Sequence, residues 1–149
     1  MDTWAQSKGD QLAQSVAAAH KYGLELHAWR VNFHLGTAPK WYYEQLAAED
    51  RLVRDASGEQ GYTWACPSNE RNRQVEVAAM LEMAENYDVD GIHFDYIRYP
   101  NTSFCYCATC RRNFEQALGV KIQNWPEDVV TGDLRSEERR VGKECRSRW

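Results

Sequence analysis

Apolar and polar positions recur along this chain with two different periods, and the switches between them place the elements. Over 10–22, Leu12, Val16 and Ala19 fall at helical spacing, Asp10 is placed to cap the start, and Gly23 stands where the helix should stop. Over 24–31 the period drops to two, with Leu24, Leu26 and Ala28 on one face of a strand and Glu25, His27 and Trp29 on the other. A loop with Gly36 and Pro39 leads into a short helical pattern over 41–48. The runs 51–54 and 61–66, separated by Ala56-Ser57-Gly58-Glu59, read as a hairpin or as two short strands. Ser68 or Asn69 can cap a longer helix ending near Asn86, with Val77, Met80, Leu81 and Ala84 as its apolar stripe. Over 89–96, Ile92, Phe94 and Tyr96 share one strand face, and Gly91, His93 and Asp95 share the other. Arg98-Tyr99-Pro100 opens a loop, and a last helix over 107–118 ends at Gly119.

Helices alternating with strands favour an α/β class in which crossover connections build a parallel sheet. The architecture expected is an incomplete (β/α)₈ TIM barrel. Its strands turn one face to outer helices and the other to the interior, and chemistry gathers at the C-terminal strand ends. Leu24, Leu26, Ile92, Phe94 and Tyr96 then face helices, while His27, Trp29, His93 and Asp95 look inward. A whole barrel needs about 250 residues and at least about 200, so this chain is expected to supply about the N-terminal half.

Composition narrows the picture. The chain has 149 residues, six Trp, eight Tyr and four Phe, with a net charge of −4. The acidic balance argues against nucleic acid as a partner, which calls for a basic stripe. No apolar run approaches the roughly 20 residues of a membrane span, and no basic-then-apolar signal pattern opens the chain. Residues 135–149 read RSEERRVGKECRSRW, with only Val141, Cys145 and Trp149 suited to a core. AGATCGGAAGAGC, the start of a common sequencing-library adapter, reads Arg-Ser-Glu-Glu followed by a base that can open an Arg codon, so it can begin Arg-Ser-Glu-Glu-Arg. This stretch is therefore expected to be translated adapter rather than native sequence, leaving residues 1–134 as the barrel portion. Six of the 18 Lys/Arg and three of the 22 Asp/Glu fall in that tail, so residues 1–134 carry 12 basic and 19 acidic side chains, net −7.

The block DGIHFDYIRYP at 90–100, preceded by NYDV, is the most distinctive run. With AHKYGLELHAWRVNFHLGTAP and WACPSNERNRQ it resembles the bacterial glycosyl-hydrolase-like 10 family over about residues 8–134. The resemblance implies a (β/α)₈ domain acting on glycans, with a bacterial polysaccharide or peptidoglycan glycan strands as the substrate. It also implies a native chain extending upstream of Met1 and a periplasmic or extracellular setting for the full-length protein. More loosely, the block is similar to the strand-four motif of α-amylase-type barrels, whose strand-end nucleophile position falls on Asp95.

A retaining glycosidase needs a carboxylate nucleophile about 5–5.5 Å from a second, protonated carboxyl group. Asp95 is the candidate for the first; a carboxylate paired with Arg98 or His93 is the structural alternative. His93 can donate to sugar hydroxyls, and Arg98 can hold Asp95 ionised. Trp29, Asn32, Trp64 and His34 lie at or just past strand ends, where rings can stack on sugars and amides can bond hydroxyls, or simply pack at a barrel rim. Glu25, Asp88 and Asp90 sit at the opposite strand ends and read as loop and strand-start residues, so no general acid is identified within 1–134.

Cys105, Cys107 and Cys110 fall within six residues as CYCATC. With Cys66 they can supply ligands to a structural zinc, though the chemistry requires no cofactor; a disulfide to Cys66 and free buried thiols are the alternatives. A rival to the hydrolase reading is a noncatalytic carbohydrate-binding or interaction module built on such a metal knuckle. A half-barrel also leaves sheet edges unpaired, so aggregation or self-association of the chain alone is expected.

Overall fold

The computed structural model describes residues 9–131; the expectation for 135–149 lies outside them. Five helices and four strands follow in the order α1 (Gln11–Lys21), β1 (His27–Val31), α2 (Lys40–Ala48), β2 (Leu52–Arg54), β3 (Gln60–Ala65), α3 (Glu70–Asn86), β4 (Gly91–Asp95), α4 (Ala108–Leu118) and α5 (Glu127–Val130). They group into two compact units, one of residues 9–32 with 73–97 and one of residues 33–72 with 98–131.

In the first unit α1 starts and stops where its sequence predicts. The Asp10 carboxylate accepts from the Ala13 N–H at 3.0 Å and from the Tyr87 hydroxyl at 2.8 Å. At the other end Gly23 takes φ +67°, and the Gly23 and Leu24 N–H groups bond the His20 and Ala19 carbonyls. Asp90 closes the start of β1, accepting from the Leu26 N–H at 2.7 Å and from His20 Nε2 at 2.9 Å. The role expected of it as a strand-start residue is the one it has.

β1 and β4 pair in parallel, with His27 opposite Gly91, Trp29 opposite His93 and Val31 opposite Asp95. This pair is the only parallel sheet among the described residues. β2 and β3 instead form a separate antiparallel sheet with an irregular register. The expected half-barrel is corrected on this point: the described residues are mixed α/β and show no barrel. The reason lies in the connection, because five residues cannot carry a chain across to a parallel neighbour, whereas they suit a hairpin. Asp55 builds that turn by accepting from the Ser57 N–H, the Ser57 hydroxyl and the Glu59 N–H, and Gly58 adopts φ +88°.

Three further expectations change. Leu24 precedes the strand and is 62% exposed, and Phe94 is 51% exposed on the face expected to meet helices. Tyr96, expected to continue that face, turns out of the strand at φ +56°. On α3 the Val77–Leu81 stripe is exposed, because the helix meets β1 through Glu76, which accepts from Arg30 and Asn32, and through Met80.

The second unit buries Leu46, Leu52, Val53, Ala65, Ile122 and Val129 around polar anchors. Asn72 is 3% exposed; its Oδ1 accepts from Arg51 Nε at 2.8 Å and its Nδ2 donates to the Arg51 and Cys66 carbonyls. Glu115, buried on α4, accepts from Lys121, Arg111 and the Ile122 N–H, and these bonds hold its carboxyl down at about 2.

These anchors and edges set three expected outcomes. Asn72→Ala removes the acceptor of Arg51 Nε, leaving that guanidinium only Glu49 as a partner while its second terminal nitrogen has none among the described residues, and should cost about 2–3 kcal/mol in chemical denaturation; a loss under about 0.5 kcal/mol would refute the anchor role. Because the Glu115 pKa lies below its ordinary 4.5, its stabilisation is complete above that value and fades as pH falls toward about 2. Glu115→Gln should flatten the acid limb of the melting-temperature profile, and an unchanged limb would contradict it. Among the described residues each strand of the parallel pair has one unpaired edge, so the 149-residue chain alone should elute as oligomers or aggregate in light-scattering chromatography, where a monodisperse monomer would count against this.

Candidate functional site

The predicted residues fall into three groups. On the parallel pair, the face carrying His27, Trp29 and His93 is open, Trp29 being 66% exposed. Asp95 follows two residues after His93, at the C-terminal end of β4 and on the same strand face. Its Oδ1 accepts from the N–H of Tyr96 at 2.8 Å, and its carbonyl accepts from the Asn32 N–H at 2.8 Å. Gly91, at the other end of β4, makes room for His27: a Cβ there would stand 2.7 Å from the His27 ring.

The opposite face holds Arg30 and Asn32 against α3. Glu76 Oε2 accepts from Arg30 at 2.9 Å and from Asn32 Nδ2 at 2.9 Å. Asn32 is 1% exposed, and its Oδ1 is buried with no hydrogen-bond partner among the described residues. Glu76 had no sequence signal, since a glutamate in a polar helix reads as a solvated side chain. Both strands end in a bulky residue at positive φ, Phe33 (58°) after β1 and Tyr96 (56°) after β4. Left-handed backbone at non-glycine residues stores strain and gathers at functional sites.

The second group belongs to the hairpin unit. Trp64 is 7% exposed, its indole N–H donating to the Arg98 carbonyl at 3.0 Å. The His34 ring meets it edge-on at 5.1 Å, and the Arg98 guanidinium lies 5.9 Å from its centroid. Arg98 also donates to the Tyr99 and Pro100 carbonyls. Trp64, His34 and Arg98 thus hold one another, the rim-packing alternative for the tryptophan. Beside them lies an open cleft of about 410 Å³, lined by Asp55, Glu59, Trp64, Asn101 and Phe104 among others.

The third group is the cysteines. Cys66 follows β3, Cys107 precedes α4 and Cys110 lies in its first turn. The Cys66 sulfur stands 3.7 Å from that of Cys107 and 3.6 Å from that of Cys110, and all four, with Cys105, lie within 4.8 Å of one another. None of the four is joined in a disulfide in this structure. Hydrogen bonds among them push the Cys66 and Cys105 thiols up and hold Cys107 and Cys110 down. The cluster is compatible with a bound metal ion.

Sequence comparison fits this arrangement. The profile of the Glycosyl hydrolase-like 10 family matches residues 2–140, a stretch that includes β4, the cysteines and residues beyond Leu134, and the chain belongs to that family. An S-layer-related protein of Niallia circulans is 30% identical over 130 residues, which is 84% of this chain and 8% of the relative. The chain therefore spans only a small part of that relative's length.

Proposed function

We propose that this chain is part of a glycoside hydrolase-like enzyme cleaving glycosidic bonds in a bacterial polysaccharide or peptidoglycan glycan, with Asp95 as the carboxylate acting at the anomeric carbon. Membership of the Glycosyl hydrolase-like 10 family supports a glycan-related role. The observation that carries the finer reading is the placement of Asp95 at the C-terminal end of β4, on the strand face where His93 and Trp29 are exposed. There the Asp95 carboxylate would attack the sugar carbon as the glycosidic bond breaks, forming a glycosyl ester that water then hydrolyses. The reaction also needs a second carboxyl group to give its proton to the leaving oxygen, and none within residues 1–134 is assigned that role.

In this reading Trp29 offers an aromatic face to a sugar ring and His93 donates to hydroxyls. Asn32, with its buried unpartnered Oδ1, shapes the strand end. Trp64, His34 and Arg98 support the cleft on the hairpin unit, whose volume falls in the usual range of ligand sites, about 300–1,000 Å³. An S-layer relationship in the relative suits a periplasmic or extracellular setting, where envelope glycans are available.

Asp95→Asn in the full-length protein should lower turnover of peptidoglycan glycan strands by at least about 10²-fold while leaving glycan retention in a binding assay intact. Unchanged turnover would remove the catalytic role. Glycan binding without any hydrolysis by the unsubstituted protein would instead favour the noncatalytic module.

A further inference from the structure

The cysteine cluster takes no part in the sugar chemistry, and its geometry carries a separate conclusion. We propose that Cys66, Cys105, Cys107 and Cys110 bind one zinc ion as a tetrathiolate, fastening the 98–110 segment to the end of the β2–β3 hairpin.

Zinc–sulfur bonds of about 2.3 Å at tetrahedral angles set neighbouring sulfurs about 3.8 Å apart. The Cys66–Cys107 and Cys66–Cys110 separations, 3.7 and 3.6 Å, match that edge. A disulfide would need about 2.05 Å. Burial of apolar side chains does not explain the arrangement either, because it imposes no common point on four sulfurs drawn from two segments of chain. Four soft thiolates in a closed set select zinc over the oxygen-seeking cations.

The surroundings suit a thiolate centre of net charge −2. The Arg54 N–H donates to the Cys105 sulfur at 3.3 Å. The Tyr99 hydroxyl lies 3.3 Å from the Cys110 sulfur and 2.6 Å from the Ser68 hydroxyl, a chain that can deliver an O–H to the sulfur. Cys107 occupies the N-cap position of α4 and Cys110 lies in its first turn, where the helix dipole favours negative charge. Each thiol gives its proton to solvent as it binds. Tyr99 belongs to the Arg98-Tyr99-Pro100 end of the most distinctive sequence block, so part of that block serves the metal rather than the sugar.

The test uses the 149-residue chain purified under reducing conditions with zinc supplied. Elemental analysis should find about one zinc ion per chain. Cobalt substituted for it should show sulfur-to-metal charge-transfer absorption and the intense visible bands of a tetrahedral site. Cys66→Ser and Cys110→Ser should each abolish stoichiometric binding. Tyr99→Phe should retain one metal but weaken it about 10–100-fold in chelator competition. A chain that takes up no zinc with its four thiols reduced, one that holds iron in place of zinc, or a disulfide among the four would each overturn the proposal. Metal content is read on the unsubstituted chain, so the outcome does not depend on any variant folding. A failed glycan assay bears only on Asp95.

Discussion

The parallel pairing of β1 with β4 is the constraint on which the first unit depends. Five residues from each strand, far apart in sequence, share one ladder, and its register fixes what each face carries. With Trp29 opposite His93 and Val31 opposite Asp95, the strand period of two puts the polar and aromatic groups together on an open face. A one-residue slip would exchange that face for the one holding Arg30 and Asn32 against Glu76, and neither side would keep its partners. The ion pair and the hydrogen bond from the Asn32 amide to Glu76 thus pin the register that leaves Asp95 at the strand end.

The hairpin unit rests on a different kind of order. Beside its apolar core, much of its definition comes from buried polar groups that each satisfy several partners: Asn72 bridges Arg51 and Cys66, and Glu115 gathers Arg111, Lys121 and the Ile122 N–H. Such networks specify one arrangement because any other leaves a donor or acceptor unpaired in a poorly solvated place. The proposed zinc tetrathiolate would add a covalent-strength link of the same logic to this unit. Cys66 takes part in both, its carbonyl in the amide network and its sulfur in the cluster.

Local signals were legible wherever one residue's chemistry decides the backbone. Asp10 and Gly23 bound α1, Asn69 begins α3 by accepting from the Arg71 and Asn72 N–H groups, and Gly119 ends α4 at φ +70°. The two polar faces of 24–31 and 89–96 were legible for the same reason, since alternation is a property of each strand alone. The apolar stripe of α3 was misleading: its exposed Val77 and Leu81 satisfy helical periodicity just as a buried stripe does. Phe94 fails in the same way, because hydrophobicity records what a residue can bury and not whether anything covers it.

The sequence by itself determined most of the elements, though not α5, with the caps of α1 and α3 and the glycine stop of α4, the polar face that presents His93 and Asp95, the cysteine spacing and, through the block at 90–100, the family. Only the tertiary structure decided that β1 and β4 are neighbours while β2 and β3 pair apart from them, that Cys66 joins the other three thiols, and that Glu76 and Tyr99 stand behind the residues that drew attention. Caps, turns and periodicity arise from interactions within a few residues. Strand partners and sulfur clusters join segments tens of residues apart, and their choice belongs to the packing of the whole chain.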